Sequence, residues 1–228
     1  MLEAFTDYNF RFGKVLYTGY DQWNSEKDIL KRGTKKMEKN TDKVFVELLK
    51  EAAGKAFKDL FKEHPNEHFY YCTLVLMNAQ GCPVVSAMSE EALDKLVQED
   101  VKECGYSEME SRKLLKWSFA DSPYCIYGEQ YFSEVEEWIA NRDKNSESIT
   151  LDMFMKECDM RLDSMEKVMS DLDKEGVFGS GEKRKNIVVA AEVMPPDYTN
   201  TERVLRLNSR ETLKEWLEEA AEPEENSF

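Results

Sequence analysis

Long apolar runs, paired cysteines and histidines are all scarce in this chain of 228 residues. No window approaches the ~18 consecutive apolar residues that a membrane helix needs. The chain opens with acidic and polar residues, without the basic start and apolar stretch of a secretory signal. Its five cysteines form no Cys-x-x-Cys pair, so we expect reduced thiols and a cytoplasmic location. We also expect no membrane partner, because no segment is apolar enough to cross a membrane.

Motifs for a metal, a cofactor or a nucleophile are also missing. The two histidines, His64 and His68, stand far in sequence from other plausible ligands, whereas a structural zinc needs four at close spacing. The glycine cluster from Gly176 to Lys183 lacks the Gly-Lys-Ser/Thr ending of a phosphate-binding loop. No Gly-x-Ser-x-Gly motif is present either. The sequence therefore predicts no metal, no cofactor and no enzyme activity.

Basic residues are in deficit, with 31 Lys and Arg against 46 Asp and Glu and a net charge of −15. Such a balance disfavours nucleic acid and anionic lipid as partners and favours a basic protein. The alternative is that the charge only keeps the protein soluble. Within residues 89–110, eight acidic residues face only Lys95 and Lys102. The eight are Glu90, Glu91, Asp94, Glu99, Asp100, Glu103, Glu108 and Glu110.

Hydrophobic periodicity favours a single α+β domain with a mostly antiparallel sheet packed against several helices. Residues 1–30 are predicted to be an aromatic-rich lead-in, residues 31–219 the domain, and residues 220–228 a frayed acidic tail. Thr41 is the predicted N-cap of the first helix. Helices are predicted at residues 42–61, 89–104, 129–140, 151–172 and 209–219, and strands at residues 68–77, 82–88, 186–193 and 203–207.

The segment from Lys116 to Gly128 is rich in aromatic residues but has neither helical nor strand periodicity. It could fill a core or form a recognition surface. Asp121 next to Trp117 could have its pKa raised by burial and act in acid–base chemistry. We favour the simpler interpretation, in which Asp121 accepts backbone N–H groups and fixes the loop, because buried polar groups are normally satisfied in this way.

The order of features resembles the bacterial domain-of-unknown-function family DUF4303 over about residues 42–219. The resemblance depends on Phe69-Tyr70-Tyr71, on the helix that starts at Ser89, and on Trp117-Ser118 followed by Asp121. It implies a structural role for Trp117 and Asp121. Members of the family resemble cytoplasmic immunity proteins, which neutralise a toxin domain by binding it.

The leading hypothesis is an immunity-type protein that occludes the active site of a cognate, basic toxin. Acidic residues and two exposed tyrosines would make the contact, because tyrosine gives a large contact area at low entropy cost. The alternative is a hydrolase or a modification-reversing enzyme that uses Asp121 in acid–base chemistry. A third hypothesis is a scaffold that docks through its acidic tail. The predicted partner-binding residues are Glu90, Glu91, Asp94, Glu99, Asp100, Tyr124 and Tyr127.

Overall fold

The computed structural model describes residues 41–78, 81–143 and 150–224. All of them belong to one compact unit, Asn40–Phe228. The predicted lead-in at residues 1–30 lies outside the described residues, as do residues 225–228 of the predicted tail. Residues 221–224 have no regular secondary structure.

The described residues form eight α-helices and a three-stranded sheet, which confirms the α+β class. The strands are β1 (Phe69–Leu76), β2 (Val84–Ser89) and β3 (Val188–Val193). The helices are α1 (Lys43–Glu63), α2 (Glu90–Cys104), α3 (Glu108–Leu115), α4 (Ser133–Asp143), α5 (Leu151–Lys174), α6 (Gly181–Lys185), α7 (Tyr198–Leu207) and α8 (Lys214–Glu219), with a short 3₁₀-helix (Glu129–Tyr131) before α4.

The sheet is mixed, in the order β2-β1-β3, and not mostly antiparallel as predicted. The β1–β2 pair is an antiparallel hairpin, whereas β1 and β3 run parallel. A parallel pair needs a long crossover connection, and the helices between β2 and β3 supply it. Parallel strands are buried on both faces and commonly read as near-continuous apolar runs, and β1 has such a run. The prediction of a mostly antiparallel sheet did not use that signal.

Helices α1 and α5 pack on each other and cover the sheet. The apolar positions of α1 at three- and four-residue spacing are buried, among them Phe45, Leu49 and Phe57. Gly54 allows close approach, because a Cβ there would lie 3.1 Å from Cδ2 of Leu172 on α5. These helices and the three strands enclose one hydrophobic core.

Several predicted boundaries were wrong, and one element was of the wrong type. Residues 203–207 are the end of helix α7, not a strand. The N-cap of α1 is Asp42, whose Oδ1 accepts the Phe45 amide at 3.1 Å, and not Thr41. The predicted helix at 209–219 is helical only over Lys214–Glu219. Helices α3 and α6 were not predicted.

Side chains of helix α7 and of its C-cap residue, Asn208, cover the outer edge of β3. These side chains bond backbone groups of alternate β3 residues, as a neighbouring strand would do. Asn200 accepts the Val193 amide at 2.8 Å and donates to the Val193 carbonyl at 3.1 Å. The other contacts are Arg203 Nε to the Ala191 carbonyl at 2.7 Å, the Val189 amide to Asn208 Oδ1 at 3.0 Å, and Asn208 Nδ2 to the Val189 carbonyl at 2.7 Å.

Candidate partner-binding surface

The aromatic loop at residues 116–128 lies along the outer edge of β2. The Tyr127 amide donates to the Val85 carbonyl at 3.1 Å. The Ser122 hydroxyl donates to the Ala87 carbonyl. These contacts explain why the sequence of the segment has neither helical nor strand periodicity, since its conformation follows the strand that it covers. The loop therefore covers the open edge of the sheet.

Tyr124 is buried at 7% exposure, so the prediction of an exposed anchor was wrong. Its hydroxyl donates to the carboxylate of Glu67, 2.6 Å from each oxygen. The Ser89 hydroxyl donates to the same carboxylate, and His64 Nδ1 lies 3.1 Å from Oε1 of Glu67. Burial alone would raise the pKa of Glu67, but the hydrogen bonds from Ser89 and Tyr124 and the nearby His64 outweigh it and lower the pKa.

Tyr127 is half-buried and offers less free surface than predicted. Its hydroxyl donates to Glu63 near the end of α1, and its ring centroid lies 6.3 Å from that of Tyr124. Burial and then the bond to Glu63 raise the pKa of Tyr127. The polar tip that was expected to contact a partner is thus already engaged within the chain.

Trp117 connects the loop to the C-terminal helix. The half-buried ring stands edge-on to Tyr70 and Tyr71, with centroid distances of 5.3 Å and 5.8 Å. Its Nε1 donates to Oε2 of Glu219 at 2.9 Å, and Lys116 Nζ lies 3.0 Å from the same oxygen. The ring therefore helps to hold α8 against the strands.

Asp121 is exposed, so the predicted apolar surroundings were wrong. Its carboxylate accepts the Ser118 hydroxyl at 2.5 Å, and its own amide donates back to that oxygen at 3.3 Å. The carboxylate thus closes a turn through a serine side chain, not through the predicted backbone N–H groups. The burial that made Asp121 a candidate for acid–base chemistry is absent.

The five acidic residues predicted on α2 divide into two groups. In the first half of the helix, Asp94 pairs with Arg112 of α3, and Oε1 of Glu91 lies 2.6 Å from Nδ1 of His68. Glu90 lies 4.0 Å from the same arginine. In the second half, Glu99 is exposed and Asp100 is half-buried. No described lysine or arginine forms an ion pair with either of these two residues.

Exposed apolar side chains concentrate next to this second half, which the sequence analysis did not foresee. Of the seven exposed large hydrophobic residues in the described chain, four lie between residues 101 and 114. Met109 is 79% exposed and stands between two glutamates in the sequence. This position between two acids was the sequence signal for its exposure, because an apolar residue flanked by acids on a short helix readily faces solvent. The four are Val101, Tyr106, Met109 and Leu114.

A groove of about 1260 Å³ opens where β1 and β3 begin. Its lining mixes Trp117 and Tyr70 with both histidines and with acidic and basic side chains. Each histidine already bonds a glutamate. Across the described residues, no group of three or more His, Cys, Asp or Glu side chains could hold a metal ion. The mixed charge of the groove indicates no single class of ligand.

The fold and surface define an α+β protein whose mixed sheet is enclosed by helices and whose acidic α2–α3 region faces solvent. The family described as "Domain of unknown function (DUF4303)" matches residues 49–209, more than half of the chain, and the chain belongs to that family. No curated protein and no solved structure matches it. Among the described helices, none combines the length and apolar character needed to cross a membrane.

Proposed function

We propose that this chain is an immunity-type protein that binds a cognate toxin with a basic surface and occludes the toxin's active site. The observation that carries the proposal is the group of exposed carboxylates around the α2–α3 turn. Glu99, Glu103 and Glu108 are exposed, and no described basic side chain forms an ion pair with them. Their charge is therefore available to a partner.

Unpaired carboxylates on one surface create a negative potential that attracts a basic protein over long distances. Such steering raises association rates by one or more orders of magnitude and weakens with salt. The same potential repels the phosphates of nucleic acids and of anionic lipids, which require a cationic footprint. A basic protein is thus the class of partner that this surface favours.

A cytoplasmic location fits this role. All five cysteines are free thiols, and Cys72 and Cys158 are buried. Free thiols persist in the reducing cytoplasm, whereas proteins in oxidising compartments commonly use cysteines in disulfides. An immunity protein in that location would meet a toxin that has entered or been made in the same cell.

The test is binding to the product of the adjacent upstream gene, measured with purified proteins at several salt concentrations. We expect the double variant Glu99→Lys/Glu103→Lys to associate about 10-fold more slowly than the wild type, with a weaker salt dependence. Glu134→Lys/Glu137→Lys, which reverses two exposed acids on α4, is the matched charge control. Co-expression should also abolish the toxicity of the upstream product.

Two results would count against the proposal. The first is that the wild-type protein neither binds the upstream product nor relieves its toxicity. The second is that the Glu99→Lys/Glu103→Lys variant associates as fast as Glu134→Lys/Glu137→Lys, which would place the contact on another surface.

A further inference from the structure

We infer that three apolar residues at the α2–α3 turn anchor the toxin, and that they take an apolar side chain surrounded by lysine or arginine on the partner. The three are Val101, Tyr106 and Met109, which together we name the α2–α3 tip. This inference rests on the proposed function and specifies where its binding energy lies. The acidic charge speeds association of the partner, and the apolar tip slows its dissociation.

The exposure of these residues is the first argument. Val101 is 37% exposed, Tyr106 49% and Met109 79%, all within residues 101–109. Single exposed apolar residues need no explanation, but three within nine residues, bordered by exposed glutamates, fit the polar-rimmed apolar surfaces that mark interaction sites. Tyrosine and methionine are also enriched at the centres of protein interfaces.

The turn that carries the tip is fixed by its own hydrogen bonds. Gly105 ends α2 with a left-handed φ of 75°, and its amide donates to the Val101 carbonyl at 3.2 Å. Ser107 and Glu110 then form a capping box at the start of α3. A preorganised contact surface loses less conformational entropy on binding, so these apolar residues can contribute more of their contact energy to affinity.

The charges around the tip select its occupant. Glu103, Glu108 and Glu110 are exposed beside the tip, against one exposed lysine, Lys102. A second copy of this chain would bring like charges together at the contact, and nucleic acids or anionic membranes would also be repelled. A protein surface with basic side chains around an apolar one matches both properties of the tip.

The experiment compares Tyr106→Ser/Met109→Ser with Met153→Ser in binding to the product of the adjacent upstream gene. Met153 is a suitable control because it is 54% exposed but lies on α5. We expect the double variant to raise the dissociation constant at least 30-fold, mainly through faster dissociation. The control should change it less than about 2-fold, since an exposed side chain outside the contact contributes little.

The outcomes separate this inference from the proposed function. If the wild-type protein does not bind the upstream product, the proposed function fails and this inference fails with it. If the wild type binds and the double variant binds equally well, only the tip is wrong. Light scattering that shows a wild-type dimer, lost in the double variant, would assign the tip to self-association and overturn the inference. Slower hydrogen exchange of residues 101–109 in the complex would support it.

Discussion

The Tyr124 hydroxyl lies 2.6 Å from both carboxylate oxygens of Glu67, a residue 57 positions earlier in the chain. Through this contact the loop that covers β2 is fastened to the segment that leads into β1. Ser89, the N-cap of α2, donates to the same carboxylate. One glutamate thus ties together a loop, a strand entry and a helix start.

Tyr124→Phe is expected to lower the free energy of unfolding by about 1–2 kcal/mol, because it removes a hydrogen bond to a charged acceptor and leaves the ring in place. Urea denaturation at pH 7 measures the change. Tyr106→Phe is the control, since Tyr106 is 49% exposed and should leave the unfolding midpoint unchanged. Equal stability of Tyr124→Phe and the wild type would mean that the Glu67 contact contributes nothing.

Glu67 should make the stability depend on acid pH. Its pKa in the fold is lowered, so its contribution is fully present above the ordinary carboxyl pKa of about 4.3 and is lost as the pH falls through the lowered value. The stability advantage of the wild type over Glu67→Gln should therefore shrink as the pH falls below about 4. Denaturation curves at pH 7 and pH 3 test this. The same difference at both pH values would contradict it.

Glu192 should show the opposite dependence. Its carboxylate accepts the Tyr71 hydroxyl and, at 2.7 Å, the Thr73 hydroxyl. Burial nevertheless raises the pKa of Glu192. A raised carboxyl pKa penalises the charged form in the fold. The stability of the wild type relative to Glu192→Gln should therefore decrease as the pH rises from 4 to 8, as thermal denaturation of both proteins across that range will show. A difference that increases with pH would refute this assignment.

Asn200→Ala is expected to cost about 2–4 kcal/mol, because it leaves the amide and carbonyl of Val193 without their partner. Asn200 is only 3% exposed, so water cannot easily replace it. Glu202→Ala on the exposed side of α7 should change stability by less than about 0.5 kcal/mol. Chemical denaturation of both variants gives the comparison, and similar values for the two would show that Asn200 does not support the edge of β3.

The sequence predicted best where a local pattern decided the structure. Helix α1 was predicted because Phe45, Leu49 and Phe57 recur on one face, and α2 because Ser89 and Gly105 supply both caps. The prediction of a strand at residues 203–207 was wrong because Val204 and Leu205, taken alone, suggest a short strand. The helix depends on the Asp197 cap and on a buried face at Asn200, Thr201 and Val204, which only a longer window reveals.

The candidate surface was less predictable because its residues depend on distant partners. The positions of the α2 acids were foreseen, but Asp94 is paired only because α3 brings Arg112 back alongside α2. Tyr124 was expected at the surface, but it is buried, because its hydroxyl bonds Glu67 and its ring packs in the core. No local pattern carries such pairings, since each is set by tertiary packing.

The coverage of the sheet limits how another protein can join this one. Side chains of α7 occupy the outer edge of β3, and the aromatic loop occupies that of β2. In the described sheet, a strand from a second chain could extend β2 or β3 only by displacing one of these segments. Association by strand addition is thus disfavoured, and a protein partner would have to contact side chains on the helical exterior. Substitutions there would leave the hydrogen bonds of the sheet undisturbed.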